Sequence, residues 1–346
     1  MTAWDGESIL TRWDADSGAW IFVAIHSTRL GPASGGTRMA SYPDRDAARR
    51  DAMRLAAGLT YKWAAAGFPR GGGKAVIAVP AGLSPAARRD LLRRYGSLVA
   101  ELGGRFWTGA DVGTSAEDMD IIAETGAPYV FSRTPAHGGA GGSGTWTALG
   151  VFAAMGSACQ RLFGNPSLSG RRVLVQGAGS VGGPLIARLV EAGAAVSVSD
   201  VAPDATRRLS DLAGLAFVPP EEVFQTPCDL FAPCALGAVL NADTIPLLRC
   251  RTVVGAANNQ LATPEDAERL RDRGILYAPD FVVNAGGATA ITGMEAMGWS
   301  AERAEQEVLG IAATLSRVFA LAEAEGITTD AAARRLAEER LRAPGR

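Results

Sequence analysis

The stretch RRVLVQGAGSVGGPLIARLVEAGAAVSVSD, residues 171–200, decides the fold. It opens on a short apolar run, residues 171–176, that reads as a buried strand. A glycine-rich turn leads into an amphipathic helix, and residues 194–200 form the next strand. Gly177, Gly179 and Gly182 stand in GxGxxG spacing where strand passes into helix. The first glycine makes the tight turn, the second lets the backbone approach a pyrophosphate, and the third allows helix to lie against strand. The helix start, at Ser180 and Val181, offers amide N–H groups to phosphate. Asp200 lies 18 residues beyond Gly182, at the end of the second strand. A carboxylate there accepts hydrogen bonds from a ribose diol and repels a 2′-phosphate, which favours NAD over NADP. Arg207 and Arg208, just beyond, leave some tolerance of NADP open.

Downstream of this unit, strands are expected at residues 228–231, 252–255 and 276–278, and the last 45 or so residues read as helical. Strands and helices that alternate in this way form a parallel, doubly wound sheet. Upstream, residues 145–163 read as an apolar helix, preceded by RTPAHGGAGGSG (133–144), a hinge or boundary. In the first third, residues 19–27 are an expected strand and GPASGGTR (31–38) an expected glycine-rich loop. Residues 44–66 are an expected helix with Ala48, Ala52, Leu55 and Leu59 on one face. KAVIAV (74–79) follows as a strand. Ser84 caps a helix that has Pro85 at its first position and Leu91, Tyr95, Leu98 and Leu102 as its stripe. Thr114 and Glu117 fit a capping box that places Asp111 in the loop before a further helix. The fold class is thus α/β with two domains and a cleft between them. Residues 1–133 form the N-terminal α/β domain, with helices of 316–346 packing back on it. Residues 134–315 form the Rossmann-type domain.

With 346 residues and 47% hydrophobic content, the chain can bury large cores without disulfides. A formal net charge of −2 argues against nucleic acid or an anionic membrane surface as partner. No run of 18 apolar residues and no secretory pattern at the N-terminus is present, and four cysteines without CxxC spacing suit a reducing, cytoplasmic setting. With two histidines in the chain, His26 and His137, no metal site is expected. Of 34 basic residues only Lys62 and Lys74 are lysine. Arginine holds its proton near neutral pH, whereas a buried lysine releases it. Two ammonium groups brought to one cleft depress each other's pKa, so that one acts as base while the other holds a carboxylate. Asp111 is the nearby acid able to move protons or fix a lysine.

GPASGGTR, TYKWAAAGFPRGGGKAVI, TGADVGTSAEDMDII, VLVQGAGSVGG, CDLFAPCALGAVLN, GAANNQL and YAPDFVVNAGG occur in this order. Together they resemble the signatures of the glutamate/leucine/phenylalanine/valine dehydrogenase superfamily, most of all its leucine and phenylalanine branches. The resemblance implies reversible oxidative deamination of an L-amino acid to a 2-oxo acid and ammonia, with NAD as cofactor and a homo-oligomeric assembly. It implies Lys74 as the catalytic base and Asp111 as proton shuttle, with Lys62 and the Gly35–Gly36 backbone on the substrate carboxylate. It further implies Asn259, Asn258, Asn284 and Thr147 around the nicotinamide and the substrate. A catalytically inactive NAD-binding sensor is the competing class; the presence of Lys62, Lys74 and Asp111 speaks against it.

At the side-chain pocket the resemblance is to a family with variable lining. Ser34 stands where glutamate enzymes have lysine and leucine enzymes leucine. Gly109 stands where leucine enzymes have alanine and phenylalanine enzymes glycine. Ala288 replaces a valine, and Ile291 replaces another. Three smaller residues and one larger imply a wider pocket and an aromatic substrate, phenylalanine first, then tryptophan or tyrosine, with the Ser34 hydroxyl open to an indole N–H. The alternative is that neighbours fill the space and the substrate is branched-chain leucine or valine. Arg70 is a second departure, expected in a surface salt bridge, with contact to the substrate as the alternative.

Overall fold

The computed structural model describes residues 4–202, 204, 207, 209 and 214–343. They divide into two compact units. Unit 1 comprises the chain up to Gly142, with Ile291–Ser300 and the segment from Ala337 onward; unit 2 comprises Ser143–Ala290 and Ala301–Leu336. The division thus falls at 142 rather than 133, and residues 316–336 belong to unit 2, not to the unit on which they were expected to return.

Unit 1 is a five-stranded mixed sheet, β1 (Ser8–Asp14), β2 (Ala19–Ser27), β3 (Ala33–Ala40), β4 (Gly71–Ala78) and β5 (Phe106–Ala110), in the order β1-β2-β4-β3-β5. The pairings of β1 with β2 and of β2 with β4 are antiparallel; β3 runs parallel to both β4 and β5. Three helices cover it: α1 (Arg45–Ala66), α2 (Pro85–Glu101) and α3 (Ala116–Gly126). Alternation along the strands sorts the faces. Ile21, Val23, Ala75, Ile77 and Phe106 pack with Leu91, Tyr95 and Met119 of α2 and α3. Phe22, Ala24 and Val76 pack with Ala48, Ala52 and Ala56 of α1.

The buried stripe of α1 runs through Ala48, Ala52, Ala56, Thr60 and Trp63, while Leu55 and Leu59 are only half-buried. Small residues on this stripe let the helix lie directly on the sheet. A Cβ on Gly72 would fall 2.1 Å from Thr60 Oγ1 and 2.5 Å from the Ala56 carbonyl. The same crowding corrects the reading of GPASGGTR as a loop: most of it is the interior strand β3. Its glycines mark close approach, not a turn. A Cβ on Gly35 would meet Gly73 O at 1.9 Å, and one on Gly36 would meet Ala110 O at 2.7 Å. The cap of α3 also shifts by one residue: the capping box is Ser115 with Asp118 rather than Thr114 with Glu117.

Unit 2 is a six-stranded parallel sheet in the order β11-β10-β9-β6-β7-β8. Its strands are β6 (Arg172–Gln176), β7 (Ala195–Ser199), β8 (Ala216–Phe217), β9 (Leu230–Pro233), β10 (Thr252–Val253) and β11 (Leu276–Tyr277). The helices are α4 (Gly144–Phe163), α5 (Gly182–Glu191), α6 (Glu265–Asp272), α7 (Asp280–Val283), α8 (Gly286–Met297, whose last turns count with unit 1), α9 (Ala301–Leu309), α10 (Ile311–Glu325) and α11 (Thr329–Arg342). Strand β6 lies between β7 and β9, so the strand order reverses there. This is the switch point at which doubly wound sheets bind ligands beyond their carboxyl ends. No described helix is long and apolar enough to cross a membrane.

Candidate active site

On the α1 face of unit 1, three strands bring Lys74, Arg38 and Asp111 together. Lys74 alternates with Gly72 and Val76 along β4, Arg38 leaves β3, and Asp111 follows the last residue of β5. Lys74 is 5% exposed. Its Nζ lies 2.9 Å from Asp111 Oδ2, and Arg38 Nε donates to that same oxygen at 3.1 Å. The other edge of the Arg38 guanidinium donates through Nη1 to Asp51 Oδ2 of α1 at 2.9 Å. The Tyr42 hydroxyl donates to this oxygen at 2.8 Å, and Arg54 Nη2 donates to Asp51 Oδ1 at 2.9 Å. Burial pushes the Lys74 ammonium below the usual lysine range, and the Asp111 carboxylate offsets this only in part. Burial acts to raise the Asp111 carboxyl, but Lys74 and Arg38 outweigh it and hold it below the usual carboxylate range. The site therefore sets an ionised carboxylate beside an amine that holds its proton less tightly than an ordinary lysine.

Thr114, displaced from its expected cap, sets the backbone of Asp111 instead. Its Oγ1 accepts from the Asp111 N–H at 3.0 Å and donates to the Thr37 carbonyl at 2.8 Å. Lys62 is half-buried on α1, the helix that covers the Lys74 face. Arg38, Asp51 and Tyr42 were not singled out from sequence. Arg38 lies inside a quoted motif, but nothing in its spacing shows that it reaches across two strands and a helix.

The side-chain lining differs from expectation. Gly109 does not leave open space: a Cβ there would lie 2.3 Å from Phe131 Cε2 and 2.9 Å from Ser132 Oγ. Phe131, 7% exposed, fills that face of β5. Ser34 is fully buried, its Oγ has no partner among the described residues, and its carbonyl accepts from Trp63 Nε1 at 2.9 Å. The indole N–H near Ser34 is thus the chain's own. Ile291 is buried and Ala288 half-buried on α8. Glu295, on the same helix, is a further residue that sequence reading missed. Its carboxylate, 3% exposed, accepts from the N–H groups of Ser132 and Ala140, each at 3.0 Å, and so pins the segment after Phe131. Among the described residues Arg70 forms no salt bridge. It is 6% exposed and stacks 4.6 Å above the Trp107 ring, and burial lowers its pKa.

Unit 2 carries the glycine loop at the switch point. Gly177 has φ of 98°, and a Cβ there would meet Ala235 Cβ at 2.9 Å. A Cβ on Gly182 would lie 1.8 Å from the Gly177 carbonyl, so α5 rests against the end of β6. At Gly179 no atom lies within 4 Å of that position, and Gly179 and Ser180 are exposed. Two closed glycines and one open one are the cradle a dinucleotide pyrophosphate needs. Val181 caps α5. Asp200 holds the loop: Oδ2 accepts from Ala178 N and Oδ1 from Ala202 N, both at 2.7 Å. Each oxygen keeps a second lone pair for a ribose hydroxyl. Arg207 pairs with Asp204 at 3.0 Å, and Arg208 lies outside the described residues.

Asn284 donates through Nδ2 to the Ala256 carbonyl at 3.1 Å and to Asn258 Oδ1 at 2.9 Å, while its own Oδ1 is buried with no partner among the described residues. A buried amide oxygen of this kind fits a carboxamide donor such as that of nicotinamide. Asn259 is exposed at φ of 52°, and its carbonyl accepts from Ala238 N at 2.7 Å. Thr147 Oγ1 donates to the Ser143 carbonyl at 3.0 Å and would lie 2.4 Å from a Cβ on Gly287, so the NAGG glycines admit the first turn of α4. Among the described residues no cluster suited to a metal ion occurs.

Comparison with known proteins matches these elements. Residues 9–127 match the Glu/Leu/Phe/Val dehydrogenase dimerisation domain, and residues 202–343 match the glutamate/leucine/phenylalanine/valine dehydrogenase domain. The chain is 42% identical to a leucine dehydrogenase of Bacillus subtilis, over 99% of this chain and 93% of that protein. It is 43% identical to a valine dehydrogenase of Streptomyces albus, over 97% of this chain and 92% of that protein. Among solved structures it is similar to L-tryptophan dehydrogenase from Nostoc punctiforme, with TM-score 0.84 and 40% identity, covering 98% of this chain and 96% of that one. The resemblance carried by the seven motifs therefore holds, and the chain belongs to the glutamate/leucine/phenylalanine/valine dehydrogenase family as an NAD-dependent amino acid dehydrogenase.

Proposed function

We propose that the chain catalyses the reversible oxidative deamination of a branched-chain L-amino acid, leucine or valine, to the 2-oxo acid and ammonia. The observation that carries this choice is Phe131 packed against Gly109. The aromatic reading rested on smaller residues at Ser34, Gly109 and Ala288, and at Gly109 the ring of Phe131 takes up the space. The leucine and valine dehydrogenases among the relatives support the same choice. The likeness to a tryptophan dehydrogenase favours a second reading, with an aromatic substrate.

NAD, when bound, accepts the hydride from the substrate α-carbon; all other steps use the chain's own groups. Lys62 and the Gly35–Gly36 backbone hold the substrate carboxylate. Lys74, its pKa lowered by burial, takes a proton from the water that attacks the imine carbon. Asp111 exchanges a proton with the substrate nitrogen. Asn258, Asn259, Asn284 and Thr147 orient the nicotinamide and the substrate, and Asp200 takes the ribose. Self-association through unit 1 belongs to the same reading. It is supported by the match to a dimerisation domain and by the unpaired outer edge of β1, where Trp13 is 49% exposed. Light scattering on the purified chain tests it, and a monomer at micromolar concentration overturns it.

The deciding experiment is NADH formation with a panel of L-amino acids. Leucine and valine are expected to exceed phenylalanine, tyrosine and tryptophan in kcat/KM. An aromatic substrate ahead of both would replace the branched-chain reading by the second one, and turnover of none would indicate a sensor.

A further inference from the structure

Asp111 meets two cations on one oxygen. Lys74 Nζ and Arg38 Nε both address Oδ2, at 2.9 and 3.1 Å. Among the described residues Oδ1 has no protein partner, and the side chain is 23% exposed. Arg38 is itself held from behind, since its Nη1 donates to Asp51, which Tyr42 and Arg54 secure in turn. We propose that Arg38 is a positioning residue that divides labour within Asp111: Oδ2 is anchored by Arg38 and Lys74, and Oδ1 is the oxygen that exchanges a proton with the substrate nitrogen. The proposal rests on the reading of Asp111 as the acid–base partner of the substrate amine.

The physical argument is one of lone pairs and rotation. Two charge-assisted hydrogen bonds occupy the lone pairs of Oδ2 and leave Oδ1 as the basic site. When the α-ammonium of the substrate gives up its proton, the N–H bond breaks, an O–H bond forms at Oδ1, and the neutral amine keeps the electron pair. In the reverse direction the proton returns by the same oxygen. Without a fixed guanidinium the carboxylate can turn about its Cβ–Cγ bond and present either oxygen, so fewer encounters find the right geometry. The task suits arginine. A planar fork reaches Asp111 through one edge and Asp51 through another, which a lysine ammonium cannot reproduce.

Among the described residues the charged and titratable groups shown around Asp111 are Lys74 from β4, Arg38 from β3, Asp51 and Arg54 on α1, and Tyr42 between β3 and α1. They give the test its signs. Arg38 lowers the pKa of Lys74 and of Asp111, whereas Asp51 raises that of Lys74. The test measures kcat, KM for amino acid and for NAD, and the pH dependence of kcat/KM for Arg38→Met, Arg38→Lys and Asp51→Asn in the full chain, with the fold checked by circular dichroism. Arg38→Met is expected to lower kcat by about 10- to 100-fold while KM for NAD stays unchanged. Its rising pH limb should move to higher pH, and that of Asp51→Asn to lower pH. Arg38→Lys should not restore activity. Equal losses with unmoved pH limbs, or full activity of Arg38→Lys, overturn the proposal. Near-normal kcat in Asp111→Ala, measured alongside, overturns the underlying acid–base reading and the proposal with it.

Discussion

Asp111→Asn tests the electrostatics of the unit 1 site most directly. The substitution keeps the shape but removes the charge that Lys74 and Arg38 share. At an effective dielectric of about 20, two unit charges about 4 Å apart attract by about 4 kcal/mol. Leaving one partner of a buried pair alone costs about 3–5 kcal/mol. The Asp111 side chain is 23% exposed and Arg38 keeps Asp51, so the lower end applies, about 3 kcal/mol. The loss depends on pH because Lys74 can respond by releasing its proton. The folded-state pKa of Lys74 already lies below its usual value. A depressed lysine contributes stability above its unfolded pKa and loses it as pH falls through the folded one. Removing Asp111 depresses Lys74 further, at about 1.4 kcal/mol for each pKa unit. The variant should therefore be destabilised more at about pH 6 than at about pH 9, both below the ordinary lysine pKa of about 10.4. Urea unfolding of both proteins at the two pH values measures the difference, and turnover in the same samples should be nearly abolished. A variant within about 0.5 kcal/mol of the parent at both pH values would refute the buried ion pair.

Further expectations concern the lining, the latch and the glycine loop. Phe131→Ala should raise kcat/KM for phenylalanine relative to leucine and lower stability by about 3–5 kcal/mol, read from the substrate panel and a urea titration; an unchanged ratio means that Phe131 does not bound the side-chain space. Glu295→Ala leaves the N–H groups of Ser132 and Ala140 without their acceptor and should cost about 2 kcal/mol or more, with faster amide exchange in residues 132–140; unaltered exchange would remove Glu295 from that role. Gly182→Ala places a methyl against the Gly177 carbonyl, where its Cβ would be 1.8 Å away, and should weaken NADH binding, followed by fluorescence, by at least about tenfold. Parent-like affinity would show that the contact relaxes freely.

How much was legible in the sequence differs between the two units. In unit 2 the ligand loop is local. Gly177, Gly179 and Gly182 lie within six residues, and the acid that holds their turn ends the next strand, so spacing alone displays the site. Unit 1 was harder because its parts meet through the sheet. The run Ala33–Ala40 carries a glycine pair, which usually signals a loop, yet it is an interior strand because the neighbouring Gly73 and Ala110 carbonyls leave no room for side chains. The capping motif before α3 was read one residue early, and the freed Thr114 proved to hold the Asp111 backbone.

What the order of residues determined by itself was the kind of chemistry: the family's seven motifs, a dinucleotide loop with an acid after the next strand, and two lysines in an arginine-rich chain. Those features are short-range or compositional, so no contact map is needed to see them. Only the tertiary structure decided which groups share an oxygen of Asp111, that Phe131 fills the face of Gly109, and that Glu295 grips a segment more than 150 positions away. Each of these depends on strand register and on helix contact across long sequence separations. Such contacts are set by the packing of whole elements, and no local pattern of residue types encodes them.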